Sequence, residues 1–179
     1  MNSATHDALM RPARTVCWFS CGAPSAVAAK IAIETAGGEV IVAYNHVIEE
    51  HPDNLRFLAD CEKWLGVKIL RLMNEEYDGS IYQVFSRRGY LVGPSGASCT
   101  RLLKKKVRQD FERPDDVQVF GYTVEEQRRV DNFIDANFRV RSAACVTAGH
   151  AGRGGPNSPI LATLWGWHGV GPQSGNLRT

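Results

Sequence analysis

Arg14-Thr-Val-Cys-Trp-Phe19, Ser20-Cys-Gly-Ala-Pro-Ser25, Ala26-Val-Ala-Ala-Lys-Ile-Ala-Ile-Glu-Thr-Ala36, Gly37-Gly38 and Glu39-Val-Ile-Val-Ala-Tyr44 follow one another without interruption, and their reading decides the fold. The first block is β-branched and aromatic, as a strand is; glycine and proline break it, and the alanine-rich third block is helical in character. Gly37-Gly38 stops that helix. Glu39 to Tyr44 is continuously apolar in its middle, the pattern of a strand buried on both faces. Strand, loop, helix and buried strand form a β-α-β unit, so the sheet is expected to be parallel.

Outward from this unit the alternation continues. After a loop at 45–52, the stretch from Asp53 to Gly66 sets Phe57, Cys61 and Trp64 at helical spacing, with Leu58 and Leu65 widening the stripe. Val67 to Met73 reads as a third strand, and the less regular passage from Asn74 to Gly96 holds a short helix at Ile81 to Arg88. From Cys99 to Phe111 the residues Leu103, Val107 and Phe111 recur every four, while Arg101, Lys104, Lys105 and Arg108 fall at i, i+3, i+4 and i+7 on another face. Pro114 ends that helix, Val117 to Tyr122 reads as a fourth strand, and Thr123-Val-Glu-Glu126 has capping-box spacing before a helix reaching Ala136. Strands alternating with helices predict an α/β fold with a three-layer α/β/α architecture around a mostly parallel, doubly wound sheet.

Composition excludes several classes. The chain has 179 residues, 44% of them apolar, enough for one domain with its own core. Its 21 basic and 19 acidic residues, a formal +2, make no global field that argues for nucleic acid or an anionic membrane. Cys17, Cys21, Cys61, Cys99 and Cys145 include no Cys-x-x-Cys pair, and His51, His150 and His168 form no metal spacing with them, so no disulfide scaffold and no zinc site is indicated. No run approaches the roughly 20 apolar residues of a membrane span, and residues 1–14 never build the apolar core of a secretory signal. The expectation is a soluble, cytoplasmic protein without a membrane role.

Three regions follow: an N-terminal arm at 1–13, an α/β body at 14–137, and a Gly-rich basic segment at 138–179. That last segment has 8 of the 17 glycines, four arginines and no acid, which leaves the first 137 residues at net −2 and the tail at +4. It is expected to be irregular, with periodicity only around Ile160 to Trp167. Three origins stand side by side: a basic extension for a polyanion, loops packed by Trp165 and Trp167, or a translated frame shift that replaced another ending.

Ser20-Cys-Gly-Ala-Pro-Ser25 carries the first chemical signal. Between a strand and a helix, small residues let backbone N–H groups approach an anion, and the helix dipole adds about half a positive charge. Phosphate or sulfate is the expected guest, with the Ser20 and Ser25 hydroxyls as further donors; the alternative is a plain β-α turn with Pro24 in the first helical turn. The basic stripe likewise reads either as an oxyanion site or as a solvated face, and Glu126 either as a site residue or as a capping glutamate.

Taken together, these blocks resemble the PP-loop group, the adenine nucleotide alpha-hydrolase-like superfamily, and within it the phosphoadenylyl-sulfate (PAPS) reductase-like branch. The group's Ser-Gly-Gly-x-Asp-Ser motif stands here as Ser20-Cys21-Gly22-Ala23-Pro24-Ser25, with Pro24 in the acidic position. Tyr44-Asn45 followed by Glu50-His51-Pro52-Asp53-Asn54 is similar to the block after the second strand. Cys99-Thr100-Arg101-Leu-Leu-Lys104-Lys105 and Gly121-Tyr-Thr-Val-Glu-Glu126-Gln-Arg128-Arg129 are similar to the third and fourth.

The resemblance implies that Ser20, Cys21, Gly22, Ala23, Ser25, Asn45, Lys104 and Arg129 bind an adenine nucleotide, either ATP or phosphoadenylyl sulfate. It implies Arg101, Lys105 and Glu126 as the catalytic set. Reaction classes in view are sulfonucleotide chemistry and nucleotidyl transfer; the alternative is a degenerate or non-catalytic nucleotide-binding module of a nucleic-acid-modifying system, its basic helix and tail on a polyanion. No residue set for a metal is expected, beyond magnesium riding on nucleotide phosphates. The Glu-Cys-Gly-Leu-His segment of PAPS reductases has no counterpart around Cys145, so a thiol donor protein is the expected reductant. Cys21 is a candidate substitute nucleophile, since a helix N-terminus lowers a thiol's pKa; the alternative is a small residue tolerated in the loop. A homodimer is left open.

Overall fold

In a computed structural model of the chain, residues 14–90, 92–93, 96–136, 142–147 and 162–165 are described; the arm at 1–13 and the segments 148–161 and 166–179 lie outside them. The opening unit forms as its pattern demands: β1 (Thr15–Phe19), α1 (Ala23–Thr35) and β2 (Val40–Asn45), the strands parallel. Every residue of β1 is buried. Its alternation feeds two cores, Cys17 and Phe19 on one face and Val16 and Trp18 on the other.

The chain then adds α2 (Asp53–Leu65), β3 (Ile69–Leu72), a 3₁₀ turn at Glu75–Tyr77, α3 (Ile81–Arg88) and a small antiparallel hairpin of β4 (Val92–Gly93) and β5 (Gly96–Ala97). A π-helical stretch, Thr100–Lys106, runs directly into α4 (Val107–Phe111). After β6 (Val117–Thr123) and a 3₁₀ turn at Val124–Glu126 comes α5 (Gln127–Ala136). Two of these differ from the sequence reading. The buried stripe of α2 is centred on Leu58, Cys61 and Leu65, while Trp64 is half-exposed with the Lys30 ammonium 5.7 Å from its ring. The helix expected over Cys99 to Phe111 is π-wound for its first half.

With β7 (Ser142–Thr147) and β8 (Ala162–Trp165) the sheet has the order β3-β2-β1-β6-β7-β8. Strands β3, β2, β1 and β6 are all parallel, and β7 continues parallel to β6, with β8 antiparallel at the edge. Within 138–179, β7 departs from the expected irregularity, whereas β8 falls in the periodic stretch Ile160 to Trp167. Ser142-Ala-Ala-Cys-Val-Thr147 is an uncharged run of small and β-branched residues, which suits a position inside a sheet. Helices α1 and α2 cover one face, packing Ala26, Ala29, Leu58 and Leu65 onto Phe19 and Val42. The other face takes Phe111 of α4 and Val130 of α5. The protein is thus an α/β fold, a mostly parallel sheet flanked by helices. Among the described residues no helix is long and apolar enough to cross a membrane.

At the amino ends of β1 and β6, Arg14 grips Asp116. Its Nε donates to Oδ1 at 2.8 Å and its Nη2 to Oδ2 at 2.6 Å, with both side chains out of water. The Arg113 N–H adds a third donor to the same carboxylate at 2.8 Å. Burial alone would raise the Asp116 pKa, but these donors outweigh it and hold the carboxyl below its ordinary value. Phe111 closes the site, 4.9 Å beneath the guanidinium. Removing one partner of a buried pair strands the other's charge, so Asp116→Ala is expected to cost about 3–5 kcal/mol in urea unfolding. Because the folded pKa is depressed, the carboxylate's contribution is present above the ordinary carboxylate range and is lost as pH falls through the lower folded value. Acid titrations of wild type and variant should converge there.

Candidate functional site

The strand order fixes where a cleft can open. The chain runs outward from β1 to β2 and β3, then returns to the other side of β1 as β6, so the β1–β6 junction is the point where the winding reverses. Parallel sheets leave a crevice outside the carboxyl ends of the strands at such a point. Here a cleft of about 390 Å³ lies there, reached by Phe19 and Ser20 after β1, Tyr44 and Asn45 at the end of β2, and Gly121 and Tyr122 of β6.

Two backbone features shape its floor. Gly121 lies so close to the first turn of α1 that a Cβ there would come within 2.5 Å of Ser25 N and nearer still to the Pro24 carbonyl. Only glycine lets the strand end touch the helix start. The loop itself is braced from within: Ser25 Oγ accepts the Ser20 N–H at 3.1 Å and donates to the Gly22 carbonyl at 2.8 Å. Cys21, which stands where the resembled motif has glycine, adopts φ 56°, the left-handed region that β-carbons disfavour.

Cations enter from above. Lys104, Lys105 and Arg108 come from the π-helical stretch and α4, and Arg129 from α5. Asn45 ties the first of these elements down, its Nδ2 donating to the Lys104 carbonyl at 3.3 Å. The Asn45 Oδ1 is buried without a partner among the described residues. The Arg108 guanidinium faces an adjoining ring pair, 5.5 Å from Phe120 and 5.7 Å from Phe133, and Arg129 lies 5.8 Å over Tyr122.

One carboxylate faces these cations. Glu50 Oε1 takes Lys104 Nζ at 2.5 Å, while Oε2 accepts the Tyr44 hydroxyl at 2.8 Å and Asn54 Nδ2 at 3.2 Å. Burial pulls Glu50 upward, but Lys104 and the Tyr44 hydroxyl outweigh it and hold its pKa below the ordinary value. The Tyr44 hydroxyl is pushed well above its ordinary value by burial and by Glu50.

The chain matches no family model and no curated protein.

Of the residues expected at a site, the fold gathers Ser20, Asn45, Lys104, Lys105 and Arg129 around the cleft. It leaves Arg101, Glu126, Cys21, Gly22, Ala23 and Ser25 off its lining. Arg101 is exposed at the start of the π-helical stretch, where i→i+5 winding separates residues three apart that an α-helical stripe would keep together. Glu126 does what a capping box asks: it accepts the Thr123 N–H at 3.1 Å and pairs with Arg129. The Ser25 hydroxyl is spent on the loop. Burial, with the Glu50 carboxylate beside it, pushes the Cys21 thiol up to about 11, the opposite of what helix N-terminal activation predicts. The thiol instead donates to the Asn54 carbonyl at 3.5 Å. Arg108, Glu50 and the rings of Phe120, Tyr122 and Phe133 belong to the cleft although they were not among the expected site residues. Arg108 was findable, one helical turn beyond Lys104 on the same stripe.

No three His, Cys, Asp or Glu side chains gather as a metal site among the described residues. A protein-held magnesium does not fit this cleft: Pro24 offers no side-chain oxygen, and Glu50 is engaged by Lys104.

Two outcomes follow from this geometry. At pH 7.5, site-resolved mass spectrometry should find Cys21 alkylated by iodoacetamide far more slowly in the native chain than in the unfolded one, with the native rate still climbing as pH approaches 11. Gly121→Ala should lower stability by about 1–3 kcal/mol in thermal unfolding, the cost of forcing a methyl into packed backbone.

Proposed function

We propose that this cleft binds an adenine nucleotide bearing a phosphate or sulfate ester, as the PAPS reductase-like branch of the PP-loop superfamily does. The carrying observation is the convergence of Lys104, Lys105, Arg108 and Arg129 on the carboxyl ends of β1, β2 and β6, beside the first turn of α1. Arginine engages oxyanions in two places at once, lysine as a point charge, and a helix N-terminus favours the same guest. The aromatic walls at Phe120, Tyr122 and Phe133 suit a flat ring, and the unpartnered Asn45 Oδ1 suits an amino or hydroxyl donor.

In this reading the chain's own residues bind and orient. Lys105 and Arg108 meet the anionic ester, Ser20 at the start of the loop borders the α-phosphate, and charge developing during transfer is stabilised by fixed cations. The reaction is sulfonucleotide chemistry with an external thiol donor, or nucleotidyl transfer. A Cys21 thiol kept protonated by burial fits a thiol supplied from outside.

A second reading, a non-catalytic module on a nucleic acid, is favoured by one observation: Arg101, Lys105 and Lys106 are all exposed along one helical segment. Binding through several phosphates weakens steeply with salt, which separates the two.

The deciding experiment is calorimetric titration with adenosine 3′,5′-bisphosphate, and with ATP in the presence and absence of magnesium. Bisphosphate binding without metal is expected, with no strengthening of ATP binding by magnesium. Lys105→Ala should weaken bisphosphate binding more than about tenfold, roughly 1.4 kcal/mol, while Arg101→Ala should change it little. Absence of binding by either nucleotide overturns the reading.

A further inference from the structure

The cations of the cleft differ in how free they are. Arg129 is paired with Glu126, and Arg108 Nε has Glu112 at 3.6 Å. Lys104 is held by Glu50, whereas Lys105 makes no ion pair or hydrogen bond among the described residues. Glu50 is the one acidic side chain on the cleft lining among those residues.

The Glu50–Lys104 pair is also asymmetric. The glutamate side chain is 22% exposed and the lysine 49%. Two neutral donors, the Tyr44 hydroxyl and Asn54 Nδ2, anchor Oε2 and would stay if the lysine left. The lysine head rides on a flexible stem and has no second acceptor among the described residues. The acid is therefore the fixed member and the lysine the movable one. An anion that reaches Lys104 exchanges one oxyanion contact for another and meets the Glu50 charge at the same spot, so it gains little there.

We propose that Glu50 is a built-in rival for the ligand's anionic group, holding Lys104 back and so setting how tightly, and through which cation, the cleft takes a phosphate- or sulfate-bearing ligand. This rests on the reading of the cleft as an anion site. Lys105 is then the first cation to meet an incoming anion, and Lys104 contributes only to ligands charged enough to displace the carboxylate.

The test uses inorganic pyrophosphate as probe, titrated by calorimetry at fixed ionic strength into the full chain and four variants, Lys105→Ala serving as the comparator. Glu50→Gln keeps an oxygen for Tyr44 and Asn54 while removing the charge, and is expected to bind pyrophosphate roughly fivefold tighter than wild type or better. Glu50→Gln combined with Lys104→Met should lose that gain. Lys104→Met alone, which leaves the anchored acid without its counter-charge, should weaken pyrophosphate binding, but less than Lys105→Ala does. Equal affinity of wild type and Glu50→Gln, or no binding by either, overturns the proposal. So does a gain that survives in the double variant, because it marks a general loss of negative charge, and so does a loss in Lys104→Met as large as that in Lys105→Ala. A pyrophosphate gain that runs through Lys104, found where adenosine 3′,5′-bisphosphate binds no tighter than pyrophosphate, supports the rivalry and overturns the adenine nucleotide reading instead.

Discussion

Arg14 and Asp116 join residues 102 positions apart through two hydrogen bonds at the amino ends of β1 and β6. Everything at the other end of those strands inherits the register they set. Thr15 pairs with Val117, and four residues along, Phe19 and Gly121 arrive together at the cleft. A shift of one residue would turn β1 over, sending Cys17 and Phe19 to the α4–α5 face and Val16 and Trp18 to the α1–α2 face. The buried pair discourages such slips because a mismatched register leaves two charges without partners. At the carboxyl end Gly121 against Pro24 completes the constraint, fixing the start of α1 relative to β6.

Much of this was legible in the residues. The β-branched and aromatic run of β1 announced a strand, the unbroken apolar middle of β2 announced one covered on both faces, and Gly37-Gly38 placed the end of α1. Asn45, Lys104, Lys105 and Arg129 reach the cleft because strand ends and crossover helices put them there. What was not legible has identifiable causes. Periodicity is read on an α-helical template, so it cannot reveal that Thr100–Lys106 winds more widely, and it placed Arg101 with its neighbours. The capping role of Glu126 and its site role share one sequence pattern, and only the hydrogen bond to Thr123 separates them. The acid-free composition of 138–179 hid β7, whose small residues pair along β6 without any amphipathic signature.

Electrostatics in the cleft combine excess cation with restraint. Glu50, half-buried and anchored by Tyr44 and Asn54, places one negative charge among four positive ones. Burial holds the Cys21 thiol above its ordinary value, and the charge of the same carboxylate adds to that. In the proposed reading one side chain restrains the cation on one wall and adds to the burial that keeps the loop thiol protonated. This is consistent with a site that positions a charged ligand and leaves covalent chemistry to a reagent from outside.

Which lysines face the cleft depends on how Thr100–Lys106 is wound as much as on which residues it contains. Each residue of a helix turns the chain, by about 100° in an α-helix and by less in the wider winding of this stretch, so one deletion here would rotate everything before it relative to α4. Insertions and deletions here would therefore act as recognition switches. Two chains with the same Arg-Leu-Leu-Lys-Lys-Lys run, differing in length by one position, would offer different cations to the same ligand.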